Sequence, residues 1–150
     1  MIDKINITVQ HSMVINKSCE EVFDFTQDFS KRMLWDKSII DCKLISEALE
    51  RKIFIKVKGG MTANLEYKLF ERPYKTSLRM THINSPLVID GGGSWLYEKQ
   101  NNDRVLWTQS NTISLKNSFI GKIMRIFVEK GLRKNTVASM ERAKYLLENK

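Results

Sequence analysis

"INKSCEEVFDFTQDFSKRMLWD", residues Ile15 to Asp36, joins the end of an apolar strand to a capped helix, an aromatic-rich run and a lone tryptophan. Ser18, with Glu21 three residues on, forms a capping box, and Glu20 and Glu21 suit the positive end of the helix dipole. Val22, Phe23, Phe25, Thr26 and Phe29 then fall at helical spacing, and "SKRMLWD" reads as a second short helix that stops near Trp35. Phe23, Phe25, Phe29, Met33, Leu34 and Trp35 lie close together. They are either ordinary core or the closed end of a cavity built for an apolar guest.

Upstream, "INITVQHSMVIN" sets Ile7, Val9, His11, Met13 and Ile15 against Thr8, Gln10 and Ser12, a strand with one buried side. Downstream, "SIIDCKLI" and "KIFIKVKG" read as strands joined by a polar stretch, Ser46 to Arg51. Gly59-Gly60 turns the chain into "MTANLEYKLFE", Pro73 ends that strand, and "TSLRMTHI" follows. Pro86 and Gly91-Gly92-Gly93 predict an irregular loop, free enough to gate a cavity mouth. "SWLYEKQ" and "RVLWTQSNTISL" pair across Asn101-Asn102-Asp103, and an unbroken helical stretch runs from Phe119 to about Leu147. The order predicts an α+β domain: a seven-stranded antiparallel sheet, two short helices between strands 1 and 2, and a long C-terminal helix on one face.

On that helix Ile120, Ile123, Met124, Phe127, Gly131, Ala138 and Tyr145 share one side, which is expected to face the sheet, with Asn135 and Arg142 at its border. Gly131 and Ala138 are small where a core helix would present Leu or Ile, so that side either bends over the sheet or leaves room for a ligand. The 150 residues carry a net charge of +8, and from Lys116 onward there are nine Lys or Arg against three Glu. Lys122, Arg125, Lys130, Arg133 and Lys144 fall mostly away from the apolar side. They read as a solvated face, with weak contact to an anionic membrane surface as the alternative and no nucleic acid as partner. Length and composition fit one globular domain over residues 1–150. No secretory leader or membrane span is visible, and Cys19 and Cys42 lack metal-ligand or CxxC spacing. A reduced, cytoplasmic chain without metal or cofactor is expected.

The stretch from His11 to Asp36 resembles the N-terminal signature of the START-like superfamily, the SRPBCC or polyketide cyclase/dehydrase group, in Ile15, Ser18, Val22-Phe23, Asp28 and Trp35. The likeness extends over the chain through the antiparallel sheet and closing helix. It implies a helix-grip fold, with the sheet wrapped around the long helix and a cavity between them. It also implies binding or transport of a hydrophobic small molecule such as a lipid or polyketide. Two alternatives come with the family: a cofactor-independent cyclase/dehydratase, and an interaction module of the kind that binds chaperones or quinone-synthesis complexes. The oxygenase motif of some members, a ferrous His and carboxylate set, is absent.

The expected lining follows from the inward faces: Val9, His11 and Met13; Phe25 and Phe29; Tyr67; Met80 and His82; Trp95, Tyr97 and Trp107; and Phe127, Gly131 and Ala138 of the long helix. His11 and His82 are the candidate proton-transfer groups, because imidazole titrates near neutrality, and Tyr67 or Tyr97 could polarise a carbonyl. Each of these residues has a plain core role as well. Cys19 sits in the first helical turn, but Glu20 and Glu21 oppose any lowering of its thiol pKa. A monomer or homodimer satisfies these features.

Overall fold

The computed structural model describes residues 3–47 and 51–149. Strand β1 (Lys4–Ile15) leads into α1 (Cys19–Gln27), a single 3-10 turn (Phe29–Lys31) and α2 (Arg32–Trp35). Six strands follow: β2 (Ile39–Ser46), β3 (Lys52–Val57), β4 (Thr62–Glu71), β5 (Lys75–Asn84), β6 (Val88–Asn101) and β7 (Arg104–Lys116); α3 (Phe119–Glu148) closes the chain. Part of the polar connection between Ser46 and Arg51 lies outside the described residues.

The sheet is antiparallel throughout, in the order β1-β7-β6-β5-β4-β3-β2. β1 pairs with the last strand, so the two short helices carry the chain from one edge of the sheet to the other. At α1, the Ser18 hydroxyl accepts from the Glu21 amide at 3.2 Å and donates to the Glu21 carboxylate at 3.0 Å. The carboxylate therefore grips the cap side chain rather than its backbone. Asp28 stops α1 and caps the next turn by accepting from the Ser30 amide.

Two apolar clusters result. One gathers Ile15, Val22, Phe23 and Phe25 with Trp35, Trp95, Tyr97 and Trp107, under Met140, Ala143 and Leu147 of α3. Its rings meet mostly edge to face, with centroids 5.0–5.8 Å apart, the arrangement their quadrupoles favour. The other gathers Ile39, Ile53, Ile55, Ala63, Leu65, Tyr67 and Met80 from β2 to β5.

Two local expectations are corrected. Gly91-Gly92-Gly93 lies within β6, all three paired to β7 and Gly92 and Gly93 to β5 as well, so it is not a loop. A Cβ on Gly92 would sit 2.6 Å from the Leu78 carbonyl oxygen, and one on Gly93 would sit 2.8 Å from Asn111 Oδ1. Glycine here lets neighbouring groups close on β6, a role that punctuation-style reading of Gly runs does not separate from a loop.

The second correction concerns α3. Its buried side is Gly121, Thr136, Ser139, Met140, Ala143 and Leu147, while Phe127, Gly131 and Ala138 are exposed. A Cβ on Gly131 would meet nothing within 4 Å, so the residue makes no room for a neighbour. The helix turns a polar-bearing stripe inward over its second half and leaves large apolar side chains in solvent over its first. Apolar periodicity therefore marked the wrong side.

Candidate functional site

Alternation along β7 puts Gln109, Asn111 and Ile113 on the same face as the buried Val105 and Trp107. Across the ladder Gln109 stands beside Trp95 and Asn111 beside Gly93; on the other flank they face His11 and Val9. α3 passes over this row with Leu132, Asn135, Thr136 and Ser139. Between them and the second apolar cluster lies a cavity of ≈ 140 Å³. Ile39, Ile55, Val57, Met61, Leu65, Leu78 and Met80 form most of its apolar wall. The half-exposed lining residues Val57, Met61, Ile113 and Leu132 mark its open end.

The polar wall has two parts. Arg32, on the short helix α2, donates from Nε and Nη2 to Asp36 Oδ2 at 3.1 and 3.0 Å. The other carboxylate oxygen accepts from the Ser38 amide and hydroxyl at 3.2 and 2.6 Å, and from Asn135 Nδ2 and Ser139 Oγ, each at 3.4 Å. The Arg32 guanidinium also stacks over Trp35 and Trp95, 4.7 and 4.9 Å from their ring centroids. Burial works to raise the Asp36 carboxyl, but Arg32, Ser38 and Asn135 together hold it below the usual carboxylate range. An ionised acid so fully engaged is a poor base.

The second part is Gln109, 3% exposed. Its Oε1 accepts from Asn111 Nδ2 at 2.8 Å, and Asn111 in turn bonds Thr136 Oγ1 at 3.2 Å and takes the Trp95 indole N–H at 3.0 Å. These bonds orient the Gln109 amide and leave its Nε2 buried without a protein partner. The Trp35 and Trp107 indole nitrogens share that condition but stand outside the cavity lining. Gln109 is thus a positioned donor at the wall of an otherwise largely apolar space.

Of the side chains expected to line a cavity, Met80 and Trp95 do so. Tyr67 and Phe29 border a separate gap of ≈ 10 Å³, about the size of one water. Tyr97 is sealed in the core: its hydroxyl meets Thr26 and Gln27 at 2.7 Å, and burial pushes its pKa well above the ordinary value. Tyr67 donates to Gln27 Oε1 at 2.8 Å, and burial raises it likewise. Neither hydroxyl reaches the cavity. Val9, Phe25 and Trp107 are core, and Met13 packs against that core. His11 is half-buried beside Gln109 on β1 but outside the lining. His82 is exposed at an irregularity of β5, with φ of 50°, and its Nδ1 lies 3.3 Å from Asn64 Nδ2 and from Thr81 Oγ1. The bulge takes it out of the alternation that put it with Leu78 and Met80.

Burial raises the Cys19 thiol, which donates to the Pro73 carbonyl at 3.1 Å and reads as core. Among the described residues no three His, Cys, Asp or Glu side chains are placed to hold a metal ion, and no helix is long and apolar enough to cross a membrane.

The profile of the family described as "Polyketide cyclase / dehydrase and lipid transport" matches residues 6–148. No curated protein sequence matches the chain. Among solved structures, the Zhui aromatase/cyclase from a Streptomyces species superposes with a TM-score of 0.83 at 13% identity, over 96% of this chain and 94% of that one. A START superfamily protein from Mycobacterium smegmatis gives 0.73 at 13% identity, over 95% and 97%. Truncated norcoclaurine synthase from Thalictrum flavum gives 0.73 at 10% identity, over 98% and 96%. At these identities the likeness is one of fold: a START-like helix grip.

Proposed function

The chain belongs to the polyketide cyclase / dehydrase and lipid transport family, and from that premise we propose that it binds a small, mainly apolar molecule bearing one hydrogen-bond acceptor in the cavity between sheet and α3. The observation that carries this reading is Gln109: a buried amide N–H without a protein partner, aligned by Asn111, at the wall of an apolar space. A buried donor left unpaired costs on the order of 1–3 kcal/mol, so a guest that supplies an acceptor there gains over one that does not.

Size narrows the class. A cavity of ≈ 140 Å³ is close to the roughly 150 Å³ engineered cavity that accepts benzene, and well below the about 300–1,000 Å³ of drug-sized sites. A single ring or a short branched chain fits, and anything longer extends through the open end at Met61 and Leu132. Binding is favoured over catalysis because the titratable lining side chains, Arg32 and Asp36, already occupy each other.

Leu132→Trp tests this by closing the open end from a half-exposed position on α3, with Ile113→Trp as the second route. Acetophenone titrated against the chain should bind and perturb tryptophan emission, since Trp95 lines the cavity. Both Trp variants should melt like the parent and lose the response. Undiminished binding by both well-folded variants would place the ligand elsewhere.

A further inference from the structure

We infer that the first half of α3 is a docking surface for an anionic lipid bilayer. Phe119 is 79% exposed, Ile120 66% and Phe127 64%, and Ile123 and Ile126 stand in solvent with them. Phe119, Ile123 and Phe127 recur every four residues, so they form one ridge along the helix, with Ile120 beside it. The ridge points away from the buried side of the same helix, where Gly121 and, further on, Thr136 and Ser139 face the fold. Ordinary amphipathic helices put such side chains inward; here the arrangement is reversed over more than two turns.

Charge identifies the occupant. Between Phe119 and Lys134 the helix carries Lys122, Arg125, Lys130, Arg133 and Lys134 against Glu129. All five cations are exposed: Lys130 and Lys134 continue the line of the ridge, Lys122 and Arg133 stand on one flank, and Arg125, four residues after Gly121, lies on the far side. An apolar ridge flanked by Lys and Arg is the pattern of a helix lying in a bilayer interface, where side chains such as Phe and Ile enter the acyl boundary and cations meet anionic headgroups. A second copy fits less well, because a symmetric contact over this ridge sets two cationic flanks against each other. Leu132 and Asn135, further along the same helix, line the cavity from the side opposite the ridge. This inference stands on the helix surface and does not need the cavity to hold a ligand.

The test is co-sedimentation of the full chain with phosphatidylcholine vesicles, with and without phosphatidylserine in roughly equal parts. The phosphatidylserine vesicles should bind at least about tenfold more tightly at low salt, and this binding should weaken as the screening length shortens toward about 8 Å at physiological ionic strength. Phe127→Asp, and separately the pair Lys130→Glu and Lys134→Glu, should each cut binding at least about tenfold while leaving the melting curve in place. If Phe127→Asp disturbs the fold, Ile123→Ser takes its place. Absence of binding to phosphatidylserine vesicles, or binding indifferent to the ridge and charge variants, overturns the inference. A concentration-dependent dimer that Phe127→Asp dissociates overturns it in favour of a second copy.

Discussion

Asp36 shows how a single side chain sets both the polar wall of the cavity and a pH response. Arg32, Ser38 and Asn135 outweigh the effect of burial and keep the carboxyl below its ordinary value, so its folded pKa lies under the unfolded one of about 3.9. The stability this contributes is present above the unfolded pKa and is lost as pH falls through the folded one. Asp24, Glu66 and Asp90 are also held low, first of all by bonds from Arg72, Thr81 and Lys4 respectively, so the acid limb is shared. Asp36→Asn should lower stability at neutral pH by on the order of 3 kcal/mol, because it leaves the largely covered Arg32 guanidinium without its counter-charge. Urea denaturation at pH 7 and pH 3 should also show a shallower loss for the variant than for the parent. Equal loss in both would separate Asp36 from the acid limb. Nothing in the local sequence advertised this pair. The i, i+4 spacing of Arg32 and Asp36 is visible, but the burial that gives it weight comes from α3, about a hundred residues away.

At the scale of elements, strands were easier to read than the long helix. Period-two patterning, capping at Ser18 and the Gly59-Gly60 turn carried the sheet and the two short helices, because each signal is local. β7 also held the signal for Gln109 and Asn111: counting on by twos from Val105 and Trp107 reaches both. They stay hidden only if polar residues are assumed to point outward. α3 misleads for the same reason in reverse, since its inward side carries Thr136 and Ser139 and its outward side Ile123 and Phe127. The corrected orientation has a direct consequence. Gly131 is exposed mid-helix with open space at its Cβ position, so Gly131→Ala should raise stability by about 0.5–1 kcal/mol. Gly92→Ala should do the opposite, by about 1–3 kcal/mol, because the new methyl would press on the Leu78 carbonyl, which belongs to a paired strand. Thermal melts of the two variants check both signs. A destabilised Gly131→Ala would mean that the helix needs a bare backbone there after all.

For the whole molecule, the sheet order explains why there is a cavity. β1 and β7 carry the second half of α3 on a tryptophan-rich core, while β2 to β5 build a separate apolar cluster on the far side. The space between the clusters receives Gln109 and Asn111 from the sheet and Thr136 and Ser139 from the helix. The family resemblance foretold a cavity in this place. Its lining was legible only at Met80 and Trp95, since which inward residues reach the gap depends on how far the sheet curls, a property of the assembled fold. The central claim is that this space selects for an acceptor through Gln109. The most direct measurement is the affinity ratio of acetophenone to its alkene isostere, α-methylstyrene, for the parent chain and for Gln109→Leu. The parent should prefer the ketone by about five- to tenfold, the equivalent of one net hydrogen bond of roughly 1 kcal/mol, and Gln109→Leu should bind the two about equally. Equal affinities in the parent, or a ketone preference that survives in Gln109→Leu, would contradict the account.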